Sequence, residues 1–141
     1  MSQHPNIIGV KDTGGNMPKM GETIRLAAPS FQVLSGSANF IYPSLAIGVT
    51  GGILALANLA PDESVALFDL FQAGEIRKGQ ELHLRMLPLN LAITSRFGVS
   101  GLKAALDMVG YYGGPPRLPL LPLDDERRSE LRLILEGAGL L

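Results

Sequence analysis

The sequence predicts an α/β fold in which a short parallel sheet alternates with helices and gives way to a wholly helical stretch. Two patterns carry that expectation. Three apolar runs, Ile7–Val10, Phe31–Leu34 and Gly52–Leu56, are separated by segments with helical spacing, the βαβαβ order of a parallel sheet covered by helices. After Pro61 no strand-like run recurs, and apolar residues repeat only at helical intervals. With 46% hydrophobic and 18% charged residues, the 141-residue chain has the composition of a protein with a substantial core.

Each element has its own signals. Ile7-Ile8-Gly9-Val10 is β-branched and is closed by Asp12-Thr13-Gly14-Gly15-Asn16. Asn16 suits an N-cap and Pro18 the first turn of a helix that runs through Met17, Met20, Ile24 and Ala27 until Pro29 stops it. Phe31–Leu34 forms the second strand, ended by Ser35-Gly36-Ser37. Phe40, Leu45 and Ile47 mark a short apolar helix, and Gly52–Leu56 a third strand. Asp62 and Glu63 then open a helix where the positive dipole end favours acids, with Val65, Phe68 and Phe71 on one face and Gly74 at its end. Glu75 to Phe97 reads as a long helix with Leu82, Met86, Leu89 and Ile93 inward and a kink at Pro88. Val99–Val109 is another helix, residues 110–122 a loop, and Asp124 caps a last helix through Leu131, Ile134 and Leu135.

Composition also excludes function classes. The chain has no cysteine, so there is no disulfide framework, zinc–thiolate site or thiol nucleophile. A net charge of −1 without a basic cluster excludes a nucleic-acid footprint. No charge lies between Arg25 and Asp62, but Pro29, Gly36, Pro43, Gly48 and Gly51 interrupt that stretch, whereas a membrane span needs ~20 continuous apolar residues. No membrane role is therefore expected, although a small membrane-associated protein is one alternative. His4 and His83 lack metal-ligand spacing, and neither a P-loop, a GxGxxG run nor a Gly-x-Ser-x-Gly elbow is present. No metal or cofactor is expected.

Lys11 is the candidate nucleophile. It ends an apolar strand and precedes a glycine-bearing βα loop, the rim where parallel α/β proteins place their ligands. Walled by Ile8 and Val10, its amine would lose water, and desolvation favours the neutral form that attacks a carbonyl. The bland alternative is a solvated lysine, or one paired with Asp12. Thr13-Gly14-Gly15-Asn16 leads into a helix N-terminus, which suits an anion or simply a tight turn. Tyr111 and Tyr112 are read as packing the tail loop.

Gly9-Val10-Lys11-Asp12-Thr13, Leu34-Ser35-Gly36-Ser37, Gly51-Gly52-Ile53 and Arg117-Leu118-Pro119-Leu120 together resemble the dihydrodipicolinate synthase and N-acetylneuraminate lyase superfamily. Gly36-Ser37-Ala38, Ala55-Leu56-Ala57-Asn58 and Gly110–Gly114 resemble its 4-hydroxy-2-oxoglutarate aldolase branch in particular. The resemblance implies the C-terminal part of a (β/α)₈ TIM barrel, about three βα units, followed by a helical extension. Residues 1–60 would be the last βα units; residues 61–141 would be the closing barrel helix, the extension and the tail. Lys11 would form a Schiff base with a 2-oxo acid, with Thr13 beside the imine and Gly36, Ser37 and Ile53 touching the bound acid.

The implied function is cleavage of a pyruvate-derived 2-oxo acid, 4-hydroxy-2-oxoglutarate, to pyruvate and glyoxylate. Dihydrodipicolinate synthase, a sugar-acid aldolase or dehydratase, and a non-catalytic half-barrel are the alternatives. The family's carboxylate-gripping Gly-Thr/Ser-Thr/Asn-Gly-Glu loop and its strand-five tyrosine have no match in these residues. A fragment inactive by itself is therefore expected, from an enzyme that is a dimer or tetramer of like subunits. Its compartment would be the cytoplasm or the mitochondrial matrix, since Met1-Ser2-Gln3-His4-Pro5 lacks a targeting pattern. Ile8, Val10, Val33 and Ile53 would point into the lumen.

Overall fold

The computed structural model describes all 141 residues, Met1–Leu141. Strand β1 spans Gly9–Asp12, β2 Gln32–Ser35 and β3 Gly51–Gly52, and they pair in parallel in the order β1-β2-β3. Helix α1, Met17–Leu26, joins the first two strands, and α2, Ile41–Leu45, joins the second and third. Beyond a single 3₁₀ turn at Leu56–Asn58 the chain is helical: α3 Pro61–Gln72, α4 Ile76–Leu91, α5 Gly98–Met108 and α6 Asp125–Ala138.

The caps fall where side-chain chemistry puts them. The Asn16 carboxamide accepts from the Lys19 amide at 2.9 Å with Pro18 in the first turn, and the Asp124 carboxylate accepts from the Arg127 amide at 2.9 Å. Gly139 ends α6 in the left-handed region, φ 79°. Pro88 lies inside α4, and a π turn, Ala92–Arg96, follows immediately. The break is thus a widened turn after the proline, closed by the Phe97 amide donating to the Ala92 carbonyl at 2.8 Å.

Two expectations about elements are corrected. The third strand is two glycines rather than Gly52–Leu56, because Leu56 turns into the 3₁₀ segment and is fully buried in the helical core. In α3, Leu67 is the buried residue and Val65 is 60% exposed; the inward face is set by Leu67, Phe68 and Phe71.

Packing is unequal. The main cluster has 17 buried residues and runs without a break from Ile41 and Leu45 of α2 through Leu67, Met86, Leu89 and Ile93 to Leu131 and Leu135. Between the sheet and α1, the buried apolar cluster is only Met20, Val33 and Val49. Side chains alternate along strands, so Val10, Asp12, Val33 and Ser35 face the helices while Lys11, Gln32, Leu34 and Gly51 face the other side. Val10 and Val33 therefore do not share the open face with Ile53, which corrects the expected lumen set. That open face carries no helix. Both outer strands have free edges, flanked by an apolar groove of about 330 Å³ beside β1 and another of about 400 Å³ beside β3.

His83 is half-buried on α4 and stacks on the Tyr42 ring, centroids 6.0 Å apart, while the Tyr42 hydroxyl donates to the Ile76 carbonyl at 3.0 Å. Gly79 makes this possible, since a Cβ there would collide with the Tyr42 phenol. The imidazole Nδ1 is buried without a hydrogen-bond partner, and burial holds the His83 pKa below its usual 6.5.

Two outcomes follow. The unfolded chain takes up a proton near pH 6.5 that folded His83 resists. Thermal stability by circular dichroism should thus be level above that pH and fall as pH drops below it. His83→Phe should flatten the slope; an unchanged slope would refute the assignment. Free edges of unpaired N–H and C=O groups beside apolar grooves also predict that these 141 residues by themselves self-associate and bind an apolar dye. Light scattering from a monodisperse monomer would contradict that.

Candidate functional site

The three strands end on one rim, and backbone bonds hold their ends in line. The Gly36 amide donates to the Asp12 carbonyl at 2.7 Å, and the Ile53 amide donates to the Ser35 carbonyl at 2.8 Å. Thr13, Gly36-Ser37 and Ile53 are thereby set side by side, one step beyond the last paired residues, Asp12 with Ser35 and Ser35 with Gly52.

Gly36 shows how closely the site is assembled. A Cβ built there would lie 2.9 Å from Lys11 Cε and 2.8 Å from Thr13 Cβ, and would overlap the Thr13 hydroxyl. Lys11, Thr13 and Gly36 are thus in contact, and the missing side chain leaves the notch in which the lysine stem lies. Ile53 takes its place in the row through its backbone, with its side chain 54% exposed on the open face.

The surroundings of Lys11 differ from expectation. Val10 points to the helix side, Ile8 is 77% exposed, and Lys11 itself is exposed, so these neighbours do not desolvate the amine. Asp12 is not its partner either. Asp12 faces α1, pairs with Lys19 at 3.1 Å and accepts from the Gly14 amide at 2.7 Å. The Gly14 bond, then Lys19, holds the Asp12 pKa below the usual carboxylate value. Lys11 is left without a carboxylate on its own strand.

Ser37 is half-buried and turned into a polar cluster. Its Oγ accepts from the Asn39 amide at 3.2 Å and from the Asn90 side-chain amide at 3.3 Å, and its carbonyl accepts from Ser35 Oγ at 3.1 Å. Asn90, fully buried at the end of α4, also donates to Asn39 Oδ1 at 2.7 Å. Sequence reasoning missed Asn90, which is 53 residues from Ser37. The one signal available was an amide amid the apolar inward residues Met86, Leu89 and Ile93.

The remaining candidates stay apart. His4 is exposed at the N-terminus, and Tyr111 and Tyr112 are 56% and 86% exposed, with the Tyr112 ring lying against Gly114 of the tail loop. No three His, Asp or Glu side chains come close enough to hold a metal ion, and no helix is long and apolar enough to cross a membrane. What the rim can do chemically is present a primary amine beside a hydroxyl, on a glycine-lined edge that admits a small ligand close to the backbone.

Comparison with known proteins matches residues 1–138 to the Dihydrodipicolinate synthetase family. The 4-hydroxy-tetrahydrodipicolinate synthase of Methanothrix thermoacetophila is 38% identical over 136 residues, which cover 96% of this chain and 46% of that protein. The dihydrodipicolinate synthase of Bacillus anthracis superposes with a TM-score of 0.91 at 34% identity, over 96% of this chain and 46% of that one. A monomeric dihydrodipicolinate synthase variant superposes with a TM-score of 0.92 at 29% identity, over 99% of this chain and 48% of that one. The chain spans about half the length of the relatives it matches. It has the fold of the C-terminal part of a (β/α)₈ barrel with its helical extension. The curated relatives come from archaea and bacteria, which gives no support to a mitochondrial location.

The notch at Gly36 yields a direct outcome. Gly36→Ala should drive Lys11 and Thr13 apart and cost about 1–3 kcal/mol by chemical denaturation, the usual penalty of overpacking. A crystal structure of the variant with both side chains unmoved would contradict this account.

Proposed function

The chain belongs to the dihydrodipicolinate synthetase family, and from that membership we propose that it carries the nucleophile of a Schiff-base-forming carbon–carbon lyase, with Lys11 as the catalytic residue. The observation that supports this best is the contact of Lys11, Thr13 and Gly36 on the rim. The Lys11 amine adds to the carbonyl carbon of a 2-oxo acid and water leaves, giving an imine. When the C3–C4 bond of the protonated imine breaks, its electron pair passes to the imine nitrogen to give an enamine while the C4 hydroxyl loses its proton and becomes the aldehyde. A proton then adds at C3, and water releases pyruvate and the free lysine. Thr13 stands beside the imine, and Gly36, Ser37 and Ile53 line the path of the acid. In this reading residues 1–60 are the last βα units, and residues 61–141 are the closing helix, the extension and the tail. The complete protein is a cytoplasmic homo-oligomer, and its ligand is a small 2-oxo acid.

The proposed substrate is 4-hydroxy-2-oxoglutarate. Ser37, Ala38 and Asn39 offer no carboxylate to a long polyol, and each hydroxyl buried without a partner costs ~1–3 kcal/mol, so a short acid fits better than a sugar acid. A second reading, formation of 4-hydroxy-tetrahydrodipicolinate, is favoured by the names of relatives 33–38% identical to this chain.

The test completes the barrel with the first five βα units of the Methanothrix relative, adds pyruvate and reduces with borohydride. Irreversible labelling of Lys11, absent in Lys11→Arg, is expected. Labelling of Lys19 or Lys103 instead would refute the proposal. Assaying both substrates then decides the reading, and faster cleavage of sialic acid than of the short oxo acid would overturn the preference for a short ligand.

A further inference from the structure

Asn90 is the buried polar group that the lysine chemistry does not use. It lies where α4 ends, two residues after Pro88 and two before the π turn begins, and the Thr94 hydroxyl donates to its carbonyl. Its carboxamide, 0% exposed, is the contact by which the helical part holds the rim, through Ser37 Oγ at 3.3 Å and Asn39 Oδ1 at 2.7 Å.

The orientation of this amide has a chemical consequence. Asn90 Nδ2 meets two oxygens, while Asn90 Oδ1 is buried without a partner. Turning both asparagines over would keep their mutual bond, but would bury the two Asn90 N–H donors where the unpartnered oxygen now lies. Stranding two donors costs more than stranding one acceptor, so the amide nitrogen faces Ser37. Ser37 Oγ then receives two N–H groups, from Asn39 and Asn90, and both of its lone pairs are occupied. Its own proton is left to donate.

We propose that Asn90 is a positioning residue that fixes Ser37 as a hydrogen-bond donor to an anionic or carbonyl oxygen of the substrate, beyond the carbon bound to Lys11. This rests on the reading of Lys11 as the imine-forming residue. The buried helical part thereby sets the polarity of the rim as well as its position. An acceptor at Ser37 would suit a hydroxylated chain; a donor suits the carboxylate or aldehyde end of a short oxo acid.

Asn90→Asp separates polarity from support. The side chain keeps its shape, and a carboxylate can still hold Ser37, but by accepting its proton, so the outward donor is lost. In the completed barrel, Asn90→Asp should raise KM for 4-hydroxy-2-oxoglutarate by about ten- to hundredfold at neutral pH, the worth of one hydrogen bond to a charged oxygen. Trapping of pyruvate on Lys11 should be unchanged. KM should recover as pH falls and the new carboxyl takes up a proton. Ser37→Ala should raise KM similarly, and combining the two should add nothing. Asn90→His, which can donate, should restore most of the affinity and carries the test if Asn90→Asp does not fold by circular dichroism.

An unaltered KM in Asn90→Asp at every pH, or effects of the two changes that add, overturns the proposal. Lost pyruvate trapping in a folded Asn90→Asp barrel makes Asn90 a support for Lys11, which overturns it too. A wild-type barrel that fails to trap pyruvate refutes the lysine reading itself, and the role of Asn90 falls with it.

Discussion

The parallel register of β1 on β2 is the constraint on which the rim depends. With Lys11 opposite Leu34, the lysine points to the open face, and the next residues, Thr13 and Gly36, meet beyond the strand ends. A slip of one residue would turn Lys11 toward α1 and bring Asp12 to the open face, because side chains alternate along a strand. Strands of four, four and two residues have few ladder bonds to resist such a slip. What holds the register comes from the ends. The Asp12 side chain is tied to Lys19 of α1 and to the Gly14 amide, and Val33 is packed on Met20.

The burden of stability lies elsewhere. The helical part encloses Leu56, Leu67, Met86, Leu89, Ile93, Leu131 and Leu135 almost completely, and each such side chain contributes ~1.5–3 kcal/mol of burial. Its contacts are largely between neighbouring helices, which fold fast and need little chain closure. Between the sheet and α1 the buried apolar cluster has only three residues, and one face of the sheet is bare. The part that bears the lysine is therefore the weaker one, and α2 joins the two. Ile41, Tyr42 and Leu45 belong to the large core, while the same short connection begins just after Ser37 and Asn39.

The order of the elements and the starts of the capped helices were legible in the sequence because local chemistry decides them. Asn16, Pro18 and Asp124 act within one turn of where they stand. The faces of the strands were not legible. In parallel strands both faces are commonly apolar, so Ile8, Val10 and Val33 give no alternation from which to read a direction. The short third strand was hidden in the same way, since Gly52–Leu56 is an apolar run whether it pairs or turns. Of the candidate site, Lys11 was singled out by its place at a strand end, Thr13 and Gly36 only through family resemblance, and the contact among the three is visible only in the fold. The Asn90 cluster joins residues 51 and 53 positions apart, and no local rule reaches that far.

The exposure of Lys11 bears on how such a rim becomes reactive. Only a neutral amine attacks a carbonyl, and removal of water from around an amine favours that form. Neither Val10 nor Asp12 supplies the needed change, since both face away. Whatever covers the open face must exclude water from the lysine stem and the notch at Gly36. On the proposed role of Lys11, apolar contacts that covered this face would also dry the amine. Ser37, already polarised from below by a buried amide, needs no such enclosure to be oriented. On the proposed roles of Lys11 and Asn90, orientation of the rim comes from the helical part, and the drying of the amine from whatever packs on the open face.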